Sequence, residues 1–288
     1  MEILIVGILL GANYSLIAMG LTLQYGVARI MNLASGEILV AGGFGAFWVF
    51  TALKLSPFVS LVFVVPAAFL LNWLIYRHLL APLVRRAKSR GHLEVDSILA
   101  TFGMSFAFVG IMLLTFGGDF FSYSYLATAF DIFGSPFGLN RVVACLVSLA
   151  VCGSLYFWLN NTRTGMALRA VSVDPVAAGL VAIDVPKLSA LSFALGGAVT
   201  AAGGMLLSTF LTLDASSGVV FTMKALVIVI MGGVGDIRGA IVAAMILGLA
   251  ETVVASLADP GLTLAAAYLL FVLVLLFRPQ GLFGGSQS

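Results

Sequence analysis

Few side chains in this sequence are of types that do covalent chemistry, and their spacing argues against most of it. The two histidines, His78 and His92, both lie in one basic stretch and lack metal-ligand spacing. Cys145 and Cys152 are seven positions apart within one apolar run, so they share a helix face and read as reduced packing residues. None of Lys54, Lys88, Lys187 and Lys224 closes a G-x-x-x-x-G-K-[ST] loop, so the chain carries no phosphate cradle of that type. No catalytic or metal-ligating set is expected. If ATP drives this protein, another subunit binds it.

The carboxylates are more informative. Glu37 and Asp236 each sit where an apolar run breaks and restarts, in Tyr25–Gly45 (YGVARIMNLASGEILVAGGFG) and in Met231–Gly248 (MGGVGDIRGAIVAAMILG). A carboxylate near a helix start is favoured by the helix dipole, so capping is one sufficient reading. Paired breaks in the two halves of a membrane protein also point to a transport pathway, because unwound backbone needs a cavity or protein partner at that depth. The candidates for such a pathway are Asn32, Ser35 and Glu37 at the first break, Gly233 and Asp236 at the second, and the polar patch Asn13, Tyr14 and Ser15 in the first apolar run. Polar groups at that depth bond to neighbouring helices or line a channel. Glu251 is a further intramembrane carboxylate, but it is expected toward the outer end of its span, which weakens a functional reading.

The elements that must position these residues follow from composition. With 61% hydrophobic and 9% charged residues and a mean hydropathy of +1.16, the chain lies far from soluble proteins, where about a quarter of residues are charged. It reads as all-α, a polytopic bundle of transmembrane helices. A helix rises about 1.5 Å per residue and the hydrocarbon core is about 30 Å thick, so roughly 20 apolar residues cross it. Such runs lie near 3–23, 38–53, 58–76, 97–117, 142–159, 188–211, 239–257 and 262–277, with a shorter ninth at 219–231. Short and interrupted runs predict half-helices, giving eight or nine spans with a re-entrant element. The strict alternation of a membrane β-barrel is missing. Glycine supplies 32 of 288 residues, and Gly7-x3-Gly11 and Gly235-x3-Gly239 have the spacing that lets membrane helices approach closely.

If all nine runs cross, Arg29, Arg77, Arg85, Arg86, Lys88, Arg90, Arg163, Arg169, Lys187, Arg238 and Arg278 fall on one side, and only Lys54, Arg141 and Lys224 on the other. The excess marks the cytoplasmic face, placing the N-terminus outside and the C-terminus inside. Met1-Glu2 lacks the basic start of a cleaved leader, so the first run reads as a retained span. The chain is expected to be one transmembrane domain, 1–288, with cytoplasmic loops at 77–95 and 160–187.

The second loop, NNTRTGMALRAVSVDPVAAGLVAIDVPK, is a large polar island in an apolar chain. Asp174-Pro175 is a helix start: aspartate accepts from free amides, and proline takes a first-turn position where no N–H is needed. Ala177, Ala178 and Gly179 follow and predict a short helix with a smooth face, open to close approach by another protein. An ordinary loop is the alternative.

YGVARIMNLASGE resembles the Y-G-V-x-x-I-x-N-x-A-H-G-E signature of the LivH-type permeases of branched-chain amino-acid ABC transporters. The resemblance continues through TRTGMALRAVSVDPVAAGLVAIDVPKL, LSFALGGAVTAAGGML, MKALVIVIMGGVGDIRGAIVAAMILGLAE and the closing RPQGLF, and so covers nearly the whole chain. It implies a bacterial inner-membrane permease that pairs with a homologous second permease, two cytoplasmic ATPase subunits that hold ATP and magnesium, and a periplasmic solute-binding protein. The chain itself would bind no cofactor and no nucleic acid. The segment with Arg169, Asp174, Pro175, Ala177, Ala178, Gly179 and Ile183 is similar to the family's coupling loop, which docks on the ATPase. Two positions depart from the pattern: Ser35 stands where the family has histidine, and Ala182 where it has glycine. The first leaves open whether the solute is a branched-chain amino acid, another amino acid, or urea or a short amide. An ion-coupled secondary transporter and a channel remain the readings from other classes.

Overall fold

The computed structural model describes residues 2–283 apart from 88, 124, 127, 133 and 134, with the backbone alone at 90, 129–132, 135 and 136. Met1 and Lys88, used above, lie outside the described residues.

Helices run in chain order as α1 (Glu2–Ala28), α2 (Ser35–Leu53), α3 (Leu61–Ile75), α4 (Ala81–Arg86), α5 (Arg90–Phe116), α6 (Leu139–Asn161), α7 (Arg163–Val173), α8 (Pro175–Leu180), α9 (Val185–Ser208), α10 (Gly218–Gly232), α11 (Ile237–Leu257) and α12 (Thr263–Phe277). A π-helical turn, Tyr76–Leu80, joins α3 to α4. Among the described residues, eight segments are long and apolar enough to cross a membrane: α1, α2, Pro57–Arg86, Gly91–Phe116, α6, α9, α11 and Pro260–Phe277. They fall on the eight long runs read from the sequence. The architecture is an all-α, multi-pass membrane bundle, with one small addition: strands β1 (Ala129–Ile132) and β2 (Ser135–Gly138) form an antiparallel hairpin between α5 and α6, pairing Ala129 with Gly138 and Ile132 with Ser135.

The ninth run becomes α10. At 15 residues it rises about 22 Å, short of a hydrocarbon core. The irregular link before it, 209–217, is buried at Leu213 and Ala215, as non-helical backbone at membrane depth must be.

α1 and α9 form the centre, because their small residues allow backbones to touch. A β-carbon on Gly248 of α11 would lie 2.6 Å from the Cα of Gly11 on α1, a spacing only glycine permits. The Gly7-x3-Gly11 reading therefore corresponds to an actual helix crossing. The Gly235-x3-Gly239 reading does not: Gly235 is in the turn before α11 with φ +85°, and Gly239 alone packs from α11 against Gly232 across the break. α9 carries its small residues Gly196, Ala201 and Gly204 against α1 and α2. Cys145 and Cys152 are free, buried thiols on α6 among apolar side chains. In the last turns of α2, Phe47 and Phe50 pack on Tyr123, and Phe121 packs edge-on against Phe47; the Tyr123 hydroxyl meets Ser208 Oγ at 2.9 Å. Burial pushes that hydroxyl up to about 12 against the opposing effect of the Ser208 bond, so it stays protonated.

Candidate functional site

The polar island folds into two short helices set at the end of α1. Thr162 Oγ1 accepts from Gly165 N at 3.1 Å and starts α7. Asp174 Oδ1 accepts from Val176 N at 2.8 Å and Ala177 N at 3.1 Å, with Pro175 in the first turn of α8, so the cap read from the sequence is present. Asp184 then starts α9 by accepting from Lys187 N at 3.2 Å. Its second oxygen meets the Lys187 ammonium at 2.8 Å, and that hydrogen bond holds the Asp184 carboxyl below its usual range.

The exposed face of this segment differs from the smooth, small-residue face expected. Ala177 and Gly179 do face water, as do Asp174 and Arg169, while Pro175 and Ile183 are half-buried. Ala178 is turned inward, 4% exposed, among Leu23 and Val27 of α1, Leu168, Val171 and Ile183. Six residues make only one and a half turns, so α8 must bury one face to stay attached, and Ala178 is on it. What protrudes instead is branched and apolar: Val173 is 82% exposed, Val176 70%, Leu180 85% and Val181 70%. Ala182 closes the segment at φ +61°, the conformation that explains why glycine is usual there.

The first break lies directly beneath. α1 ends as Arg29 adopts φ +56°, and its Nη2 donates to Ser172 O of α7 at 2.6 Å. The irregular residues that follow have their polar groups met by distant segments. Asn32 Nδ2 donates to Gln24 Oε1 at 3.0 Å, and Asn32 Oδ1 accepts from Ala34 N at 3.0 Å. Thr101 on α5 accepts from Leu33 N at 3.2 Å, and Thr222 on α10 accepts from Gly36 N at 2.9 Å. Ser35 Oγ donates to Asn32 O at 2.7 Å. Glu37, in the first turn of α2, accepts from Ser105 Oγ at 2.8 Å through Oε1, while Oε2 is buried without a partner. Asn32, Ser35 and Glu37 are all fully buried in the single chain.

At the second break, Gly233 (φ +107°) ends α10 and Asp236 Oδ1 caps α11 by accepting from Gly239 N at 2.9 Å. The closing RPQGLF folds back on this break: Leu282 N donates to Met231 O at 2.8 Å and Phe283 N to Gly232 O at 3.1 Å. Those carbonyls, at the end of α10, would otherwise lack partners. A cavity of about 300 Å³ separates this turn from α7, bounded by Asp236 and Arg238 on one side and Arg169 and Ser172 on the other. The α7–α8 segment therefore adjoins both breaks.

The polar patch on α1 is wholly internal. Asn13 Nδ2 donates to Leu9 O at 2.8 Å and its Oδ1 accepts from Ser148 Oγ at 2.9 Å; Ser15 Oγ donates to Gly11 O at 2.9 Å. Tyr14 reaches a group that sequence reasoning underrated. Its hydroxyl donates to Glu251 Oε2 at 2.8 Å, and Lys224 Nζ on α10 contacts both the same oxygen and the Tyr14 hydroxyl, each at 2.8 Å. Side-chain exposure is 11% for Lys224 and 4% for Glu251, so this is a buried ion pair. Lys224 is therefore not a charge free on the outer side: it lies inside α10, paired with Glu251. The signal available was a lone lysine inside the apolar run MKALVIVIM.

A protein family described as "Branched-chain amino acid transport system / permease component" matches residues 3–277. The chain is 28% identical over 293 residues to the high-affinity branched-chain amino acid transport system permease protein LivH of Salmonella typhimurium, covering 96% of this chain and 93% of that one. It is 28% identical to the corresponding protein BraD of Pseudomonas aeruginosa, over 98% and 94% of the two chains. Identity is again 28% to the probable branched-chain amino acid transport permease protein LivH of Methanocaldococcus jannaschii, over 93% and 88%. Among solved structures, PsaBC from Streptococcus pneumoniae in complex with Fab shares the fold with a TM-score of 0.50 at 12% identity, covering 98% of this chain and 94% of that chain.

Proposed function

The chain belongs to the permease components of branched-chain amino acid transport systems, and from that premise we propose that it forms the membrane pathway of an ATP-driven importer of branched-chain amino acids. The match along residues 3–277 carries this reading, since it takes in both breaks and the α7–α8 segment between them. Such a permease changes no bond in its solute. In this reading, two ATPase subunits hold ATP and magnesium on the cytoplasmic side, a second permease completes the pore, and a binding protein delivers solute from outside. The chain sits in a bacterial inner membrane with its N-terminus outside, as the excess of Arg and Lys on the α7–α8 side supports.

The ATPase is proposed to meet the chain at α7–α8. A water-facing row of Val173, Val176, Leu180 and Val181 costs free energy in an isolated chain and gains it under a partner. A push on this segment has two direct routes inward. One is the Arg29–Ser172 bond and the apolar cluster that Ala178 shares with Leu23 and Val27, which lead to the first break. The other is the wall shared with Asp236 and Arg238 at the second. Small displacements of α7 would thereby tilt the ends of α1 and α11 together. Ser35 gives little support to urea or a short amide as the solute, since its hydroxyl is committed to Asn32 O within the break.

The test is reconstitution of the chain with its ATPase, second permease and binding protein in proteoliposomes, followed by ATP hydrolysis with leucine, valine or urea. Branched-chain amino acids should stimulate hydrolysis and enter the vesicle. Uptake by the chain alone under an ion gradient would overturn the ATP-driven reading, and stimulation by urea alone would overturn the solute.

A further inference from the structure

A cavity of about 580 Å³ opens between the α3–α4 junction and the first turns of α9, and transport as described above makes no use of it. Among the described residues that line it, Arg77, Arg85 and Lys187 are cationic and none is acidic. Asp184, three residues before Lys187, is engaged by the Lys187 ammonium at 2.8 Å. Apart from Ser189, the rest of the described wall is aromatic and aliphatic, including Trp73, Tyr76, Val84 and Val185.

The position of this cavity follows from the chain's hydropathy. α3 is apolar over its 15 residues except for the buried Asn72, and then gives way to Tyr76, Arg77 and His78 in the π-helical turn, so its last turn lies where lipid tails meet headgroups. Tryptophan and tyrosine concentrate at that level, and π-turns recur at functional sites. The Arg77 guanidinium lies 5.0 Å from the Trp73 ring centre, a cation–π contact that holds the charge at the rim. On the facing side, Pro186 and Lys187 belong to the first turn of α9, whose dipole adds to the positive potential.

We propose that this cavity binds an anionic phospholipid, its phosphate held by Arg77, Arg85 and Lys187 and an acyl chain laid against the apolar wall. A free phosphate ion would use the cations but leave that wall without a partner; a lipid uses both. Basic pockets between membrane helices on the cytoplasmic side recognise anionic headgroups by this combination. The site borders the link from α8 into α9, so a bound lipid would brace the base of the docking segment. The assignment rests on the cavity and does not depend on which solute the permease carries.

Native mass spectrometry of the full-length protein in detergent, titrated with phosphatidylglycerol or phosphatidylcholine, tests it. Phosphatidylglycerol should bind with clear preference. In Arg77→Gln/Arg85→Gln its affinity should fall roughly 30-fold, about 2 kcal/mol at 1.4 kcal/mol per tenfold, while Arg77→Lys/Arg85→Lys keeps most of it. A brominated phosphatidylglycerol should quench tryptophan fluorescence in the wild type and markedly less in Trp73→Phe, a readout that does not rely on the charge variants folding. Four results would overturn the proposal: equal binding of both lipids, an unchanged double glutamine variant, complete displacement by millimolar inorganic phosphate, or loss of bound lipid when the ATPase is added, which would assign the cavity to that partner.

Discussion

Removing Lys224 while leaving Glu251 should cost more than any other single loss of charge in this bundle. The two groups meet at 2.8 Å with side-chain exposures of 11% and 4%. At an effective dielectric constant near 20, unit charges at that separation attract by about 6 kcal/mol. Bringing both out of water offsets most of this, so the pair as a whole is close to neutral for stability. A single deletion removes the attraction and keeps the desolvation. In Lys224→Met, Glu251 would retain only the Tyr14 hydroxyl on Oε2, with Oε1 already lacking a partner. The expected loss is about 3–5 kcal/mol, whereas Lys224→Met/Glu251→Met, which removes both charges, should lie within about 1–2 kcal/mol of wild type. Tyr14→Phe should cost about 1.5–3 kcal/mol, the range for a bond to a charged acceptor. The assay is a double-mutant cycle from reversible unfolding in mixed detergent–SDS micelles, read by circular dichroism. Additive costs for the two single variants, with no recovery in the double, would refute the ion pair as a coupled unit.

Four further outcomes follow from local geometry. Ala178→Arg should destabilise the protein by 3 kcal/mol or roughly that, because it puts a charge into the cluster under α8; Leu180→Arg, at an 85% exposed position, should fold normally yet abolish ATPase stimulation, and normal stimulation there would remove α8 from the interface. Gly248→Val should lower the yield of folded protein sharply, since its β-carbon would meet Gly11 Cα at 2.6 Å and neither backbone can yield without parting α1 from α11; a wild-type unfolding midpoint would contradict that crossing. Ala182→Gly relieves a left-handed alanine and should raise stability by about 1 kcal/mol, measured in the same SDS titration, and a loss of stability would show that the turn is not strained.

The spans were legible because lipid imposes a single rule on every one of them, and so were the caps at Asp174 and Asp236, which depend on residues two or three positions away. Ala178 was misread for a different reason. Three small residues in a row suggest a smooth outer face, but which of them turns inward depends on what the helix rests on, and Leu23 and Val27 of α1 are some 150 positions earlier in the chain. The Gly235-x3-Gly239 spacing failed similarly, since a four-residue interval has meaning as a packing motif only if both ends are helical, and Gly235 is in a turn.

The breaks show where sequence reasoning stops. Unwound backbone can be recognised from glycine, asparagine and a change of hydropathy, but what satisfies it cannot. Leu33 N relies on Thr101 and Gly36 N on Thr222, so the first break is closed by α5 and α10. The second is closed by Leu282 and Phe283 at the far end of the chain. Each break is thus held by segments from elsewhere in the bundle, and the α7–α8 segment adjoins both. That arrangement suits a permease better than a rigid scaffold. Polar bonds at a break can exchange partners as helices tilt, whereas the glycine crossings of α1 with α9 and α11 keep those helices together. Motion should therefore concentrate at Arg29–Ala34 and Gly233–Asp236, with the α1–α9–α11 core turning as a unit between them.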